Sequence, residues 1–126
     1  MKQAKHVILI DDDQFTHMTF SLVVTGGRHK LTSISDCKSA CEYAENPSLF
    51  DKPDILFVDF MLGELSGIDV IKKMRRHRYF DNVPIVLYTG YDEGHKMRNL
   101  NDLSLACVLT KPCSKEDILR CVEEDI

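Results

Sequence analysis

Four short, uninterrupted apolar runs constrain this chain more than any other feature. They are Val7-Ile8-Leu9-Ile10, Ile55-Leu56-Phe57-Val58, Val83-Pro84-Ile85-Val86-Leu87-Tyr88 and Ala106-Cys107-Val108-Leu109. They are rich in β-branched residues and do not alternate with polar ones. A strand with one wet face alternates, whereas a strand covered on both faces reads as a continuous apolar run. A weaker fifth candidate, Lys30-Leu31-Thr32-Ser33-Ile34, follows the Gly26-Gly27 turn.

Segments with helical spacing lie between the runs. Phe15, Met18, Leu22 and Val23 recur on one face, which the pattern assigns to the core. Cys37, Cys41 and Tyr43-Ala44 do so after a cap at Asp36, and Ile68, Val70-Ile71 and Met74 form a third stripe. Ser114-Lys115-Glu116-Asp117 reads as a capping box opening a last helix, with Ile118, Leu119 and Val122 as its apolar face. Asp92 to Leu103 is the weakest helical segment, interrupted by Gly94, Asn99 and Asn101. The order is βα repeated five times, which implies a parallel sheet with helices on both faces and right-handed crossovers. No linker or repeat divides the 126 residues, so a single domain over residues 1–126 is expected.

Charge narrows the function. A net charge of −4 opposes a general nucleic-acid or anionic-membrane footprint. The one basic run, Lys72 to Arg78, reads as the solvated face of a helix. Cys37, Cys41, Cys107, Cys113 and Cys121 make no CxxC pair and read as reduced thiols of a cytoplasmic protein. The apolar run after Met1–His6 is too short for a signal peptide or a membrane span. There is no P-loop, no GxGxxG and no Ser-His-acid set. His6, His17, His29, His77 and His95 are scattered and read as surface or packing residues.

In open α/β sheets, sites lie at the carboxyl ends of the strands. Asp11, Asp12 and Asp13 follow the first run, Asp59 the second, Thr89 the third, and Lys111-Pro112 the last. A lone aspartate after a strand is ordinarily a turn or cap residue, and Asp13 suits that role at the first helix. Several acids, a hydroxyl and an amine converging on one sheet edge ask for more. Crowded carboxylates repel unless a cation sits among them, and Mg²⁺ takes oxygen ligands together with phosphate oxygens. A phosphoryl group arriving at one carboxylate would present oxygens to the metal, to Thr89 and to Lys111. Aspartate is an established nucleophile for such a group.

These residues resemble the receiver domain of two-component response regulators along essentially the whole chain. The matching motifs are Val7 to Asp13, Asp54 to Gly67, Val83 to Gly90, and Lys111-Pro112. The resemblance implies a flavodoxin-like doubly wound five-stranded parallel sheet of order 2-1-3-4-5. It makes Asp59 the phosphoacceptor, with Thr89 as switch hydroxyl and Lys111 as the partner lysine. Asp11, Asp12, Asp59 and the backbone carbonyl of Met61 would hold Mg²⁺, with Asp12 the more direct ligand of the acidic pair. The donor would be a sensor histidine kinase or a histidine phosphotransfer protein, and the output an unknown domain or protein. Lys111-Pro112 would be a cis bond.

The chain departs from the family pattern in places. Val108 stands where the switch aromatic is expected, Gly63 replaces a loop proline, Ser66 a loop acid, and Cys113 an aromatic. Leu103-Ser104-Leu105 replaces a Gly-Ala pair. Bulky Tyr91 and Met61 sit at positions that would shield the phosphoryl group from water and slow its loss. Two rivals stay open. One is a pseudo-receiver that only binds proteins. The other is a haloacid-dehalogenase-like phosphatase using Asp11 of an Asp11-x-Asp13 motif.

Overall fold

The computed structural model describes residues 3–90 and 103–124. In chain order it contains β1 (His6–Ile10), α1 (Gln14–Gly26), β2 (Lys30–Ile34), α2 (Cys37–Glu45), β3 (Ile55–Asp59), β4 (Met61–Leu62), β5 (Leu65–Ser66), α3 (Gly67–Arg75), β6 (Ile85–Thr89), β7 (Cys107–Thr110) and α4 (Lys115–Glu123). The five longer strands form one parallel sheet, ordered β2-β1-β3-β6-β7, which is 2-1-3-4-5 when those five are counted along the chain. The weak fifth run is a real edge strand, with Ile10 opposite Ile34. The third run enters the sheet late because proline has no N–H for a ladder. The Pro84 carbonyl instead accepts a hydrogen bond of 2.9 Å from the Leu56 N–H.

Alternate strand residues feed two cores. Val7, Leu9, Phe57, Val86 and Tyr88 pack under α1 and α4, while Ile8, Ile10, Leu56, Val58, Ile85 and Leu87 pack under α2 and α3. Burying each such side chain contributes about 1.5–3 kcal/mol, which is why these strands carry almost no polar residues. Asp36 caps α2, and Ser114 and Asp117 form the expected capping box at α4. The segment Asp92–Leu103 lies outside the described residues except for Leu103, which is buried against the α2–α3 core. Among the described residues no helix is long and apolar enough to cross a membrane.

The structure corrects two readings. In α1 the buried face is Thr16, His17, Phe20, Val23 and Val24. Phe15, Met18 and Leu22 are 73%, 63% and 75% exposed. Both sets have helical spacing, and the polar Thr16 and His17 disguised the inner one. Phe20 decides the outcome, packing edge-on against Phe57 at 5.0 Å and Tyr88 at 5.6 Å. The basic run is not wholly a solvated face either. The Arg75 guanidinium donates to the carbonyls of Leu103, Phe80, Val83 and Ser104, joining α3 to the approaches of β6 and β7. In α2 the buried residues are Ala40, Tyr43 and Ala44, and Cys37 and Cys41 are half-buried. All five cysteines are free thiols.

Candidate functional site

The register brings the carboxyl ends of β1, β3 and β6 level: Ile10 lies opposite Val58, and Asp59 opposite Tyr88. Asp11, the first residue past β1, is tied to β2 by its N–H on the Ile34 carbonyl at 3.1 Å. Its side chain is fully buried, one oxygen accepting from the Asp13 N–H at 2.8 Å and the other from Lys111 Nζ at 3.0 Å. Asp13 is the α1 cap, accepting from the Thr16 N–H at 3.2 Å and hydroxyl at 2.8 Å. Asp12 is exposed, and one carboxylate oxygen from each of Asp11, Asp12 and Asp59 lies within 4.8 Å of the others.

Asp59 ends β3 and is buried. Lys111 Nζ reaches its Oδ1 at 3.3 Å. Burial, and then the neighbouring Asp11 charge, push the Asp59 carboxyl up to about 7, with Lys111 and the Met61 N–H opposing. Lys111 answers in kind. Burial alone would lower its ammonium, but the hydrogen bonds and charges of Asp11 and Asp59 outweigh burial and raise it. Three carboxylates facing one ammonium leave an excess of negative charge in a poorly hydrated place. Oxygen donors so arranged fit a hard divalent cation.

The backbone around Asp59 is tightly set. The Gly67 N–H donates to the Phe60 carbonyl at 2.6 Å, and a Cβ on Gly67 would lie 1.9 Å from the Asp59 carbonyl oxygen. Glycine is required there by close approach. Between them β4 and β5 form a small hairpin turning at Gly63, whose φ of 65° suits glycine. Met61 opens this hairpin with an exposed side chain.

Thr89 is the last residue of β6 and is buried, its hydroxyl donating to the Gly90 carbonyl at 3.3 Å. It lies opposite Thr110, and its carbonyl accepts from the Lys111 N–H at 2.6 Å. That bond sets Lys111 beside Thr89, and the Lys111-Pro112 bond is cis. Asp11, Asp12, Asp59, Thr89 and Lys111 thus come from four turns far apart in sequence to one end of the sheet. Tyr91 lies outside the described residues. Val108 lies on the edge strand β7 with its side chain exposed.

Two neighbours escaped the sequence reading. His17 is buried, and its Nε2 donates to the Asp11 carbonyl at 2.5 Å, a contact no spacing rule would flag. Tyr88 is buried under the site, with Lys111 Nζ 4.9 Å from its ring centroid. Its one sequence signal is an aromatic ring in an otherwise aliphatic run, just before Thr89.

Comparison with known proteins gives a consistent picture. Residues 7–123 match the model of the response regulator receiver domain. A two-component response regulator of Oryza sativa subsp. indica, ORR3, is 22% identical over 91% of this chain and 86% of its own length. The alkaline phosphatase synthesis transcriptional regulatory protein PhoP of Bacillus subtilis is 28% identical over 90% of this chain and 45% of its own. Among solved structures, the receiver domain of the sensor histidine kinase PA1611 from Pseudomonas aeruginosa superposes with a TM-score of 0.78. It is 19% identical, covers 94% of this chain and 93% of its own, and has a magnesium ion coordinated in its active site cleft.

Proposed function

The chain belongs to the response regulator receiver domain family, and within that family we propose that it is a working phosphoacceptor, taking a phosphoryl group onto Asp59. The observation that carries this reading is the buried pair Asp11 and Asp59, bridged by Lys111 Nζ at 3.0 and 3.3 Å. An acceptor carboxylate must be reactive yet guarded from water. Burial guards it from water, while Lys111 opposes the rise that burial causes in the Asp59 carboxyl and neutralises charge as the group arrives.

The transfer itself is an in-line displacement. An Asp59 oxygen forms a bond to phosphorus while the bond to a donor histidine nitrogen breaks. The product is an acyl phosphate on Asp59 and a free donor histidine. Lys111 and the Thr89 hydroxyl take up the charge of the phosphoryl oxygens. The carboxylates of Asp11, Asp12 and Asp59, with the Met61 carbonyl, are the groups that would hold Mg²⁺. When bound, that ion supplies electrostatic stabilisation of the phosphoryl oxygens.

The donor in this reading is a sensor histidine kinase or histidine phosphotransfer protein of the cytoplasm. The exposed Phe15, Met18 and Leu22 of α1 provide apolar surface for such a protein, and Phe15 lines the same depression as Lys111. Output passes to a partner or further domain by a shift between two surface states. The phosphatase alternative is less well supported, because Asp13 is engaged as the helix cap.

The test is intact-mass and peptide mapping after incubation with acetyl phosphate and Mg²⁺, on wild type and Asp59→Asn. The expected result is one labile phosphoryl group on Asp59, absent from the variant and absent without metal. A group on Asp11 would revive the phosphatase reading. No group and no Mg²⁺ binding would leave a protein-binding pseudo-receiver.

A further inference from the structure

Lys111 is held by more than its two carboxylates. Its Nζ lies over the face of the Tyr88 ring at 4.9 Å, within the range of a cation–π attraction. The ring is itself fixed. It is buried on β6, Phe20 of α1 packs edge-on against it at 5.6 Å, and its hydroxyl faces Cys113 of the loop after the lysine. Without the ring, the flexible four-carbon stem has another place to go, since the Lys111 side chain keeps 25% of its surface open to solvent.

We propose that Tyr88 is a positioning residue for phosphoryl transfer, acting through Lys111 by presenting its ring face as the platform on which the ammonium moves. The inference rests on the reading of Asp59 as phosphoacceptor. Before transfer, the ammonium bridges Asp11 and Asp59. Once an Asp59 oxygen is phosphorylated, negative charge moves outward onto the phosphoryl oxygens, and Lys111 must follow it. A carboxylate partner would tie the ammonium to one spot. The attraction to a ring face is spread over the face, so the cation is retained while it re-aims. A rigid platform also keeps the lysine near its working position before the donor arrives, which lowers the ordering cost of the transition state.

The experiment measures phosphorylation rate with acetyl phosphate and Mg²⁺ in wild type, Tyr88→Leu and Tyr88→Phe, each also in a Lys111→Ala background. Removing the ring face is expected to slow transfer about 3- to 30-fold. Tyr88→Phe, which restores the face without the hydroxyl, is expected within about twofold of wild type, on the same cation–π argument. In the Lys111→Ala background, Tyr88→Leu should produce no further loss, which a merely structural role would not predict. The inference is overturned if Tyr88→Leu matches wild type. It is also overturned if Tyr88→Phe falls as far as Tyr88→Leu, or if the leucine slows the Lys111→Ala protein by the same factor. Should Tyr88→Leu not fold, proton NMR of the wild type decides. A ring over the lysine shifts the Lys111 ε-methylene signals upfield of the other lysines, and unshifted signals overturn the proposal. A wild type that takes no phosphoryl group overturns the phosphoacceptor reading itself. A phosphorylated wild type with an equally fast Tyr88→Leu overturns only the role of Tyr88.

Discussion

Replacing Asp59 by asparagine should make the metal-free protein more stable, although it removes the central residue of the proposed chemistry. The Asp59 carboxyl sits at about 7 in the folded chain against an ordinary 3.8, because it is buried beside Asp11. The folded-state value is raised, so the folded protein holds this proton where the unfolded chain has lost it. Stability therefore falls as pH rises from about 4, and the fall levels off above about 7. A gap of about three pH units at about 1.4 kcal/mol each amounts to about 4 kcal/mol at pH 8. Asparagine is close in shape and carries no charge, so Asp59→Asn escapes this penalty. The assay is urea unfolding of both proteins in EDTA across pH 4 to 8. The variant should be more stable by about 2–4 kcal/mol at pH 8, and the difference should shrink below about 1 kcal/mol at pH 4. Mg²⁺ should narrow the gap at pH 8, because a cation among the carboxylates relieves the same repulsion. Equal stability at pH 8, or a difference that does not change with pH, would refute the reasoning.

Other perturbations test other parts of the structure. Gly67→Ala forces a methyl group to within 1.9 Å of the Asp59 carbonyl oxygen. It should cost about 3 kcal/mol or more in urea unfolding and weaken Mg²⁺ binding measured by titration. Arg75→Met strips the donors from four backbone carbonyls and should lower stability by about 2–4 kcal/mol, read from the unfolding midpoint. Met18→Glu and Leu22→Glu place charge on the exposed strip of α1. Transfer from a protein donor should slow at least about tenfold, as expected when apolar contact is lost across an interface. The rate with acetyl phosphate should stay within about twofold, because neither residue touches the acidic cluster.

Much of this was legible in the chain because the signals are local. Continuous apolar runs mark strands covered on both sides, and each such strand has a definite carboxyl end. Asp11, Asp12, Asp59, Thr89 and Lys111 therefore fall at one edge of the sheet on sequence pattern alone. The cap at Asp36 and the box at Ser114 depend on residues three apart, a distance the sequence displays directly.

Other features depend on which surfaces meet, and only the tertiary structure decides that. α1 carries two apolar stripes with helical spacing, and the preference for Phe20 over Phe15 comes from the rings of Phe57 and Tyr88 on strands distant in sequence. The Arg75 guanidinium looks like one more surface charge until four carbonyls converge on it. Tyr88 reads as one more core aromatic until Lys111, from the turn after β7, comes to lie over its face. Periodicity records that a helix has an inside. Packing across the sheet chooses which side that is, because burial energy depends on the neighbour that covers a residue, and long-range neighbours leave no mark on local spacing.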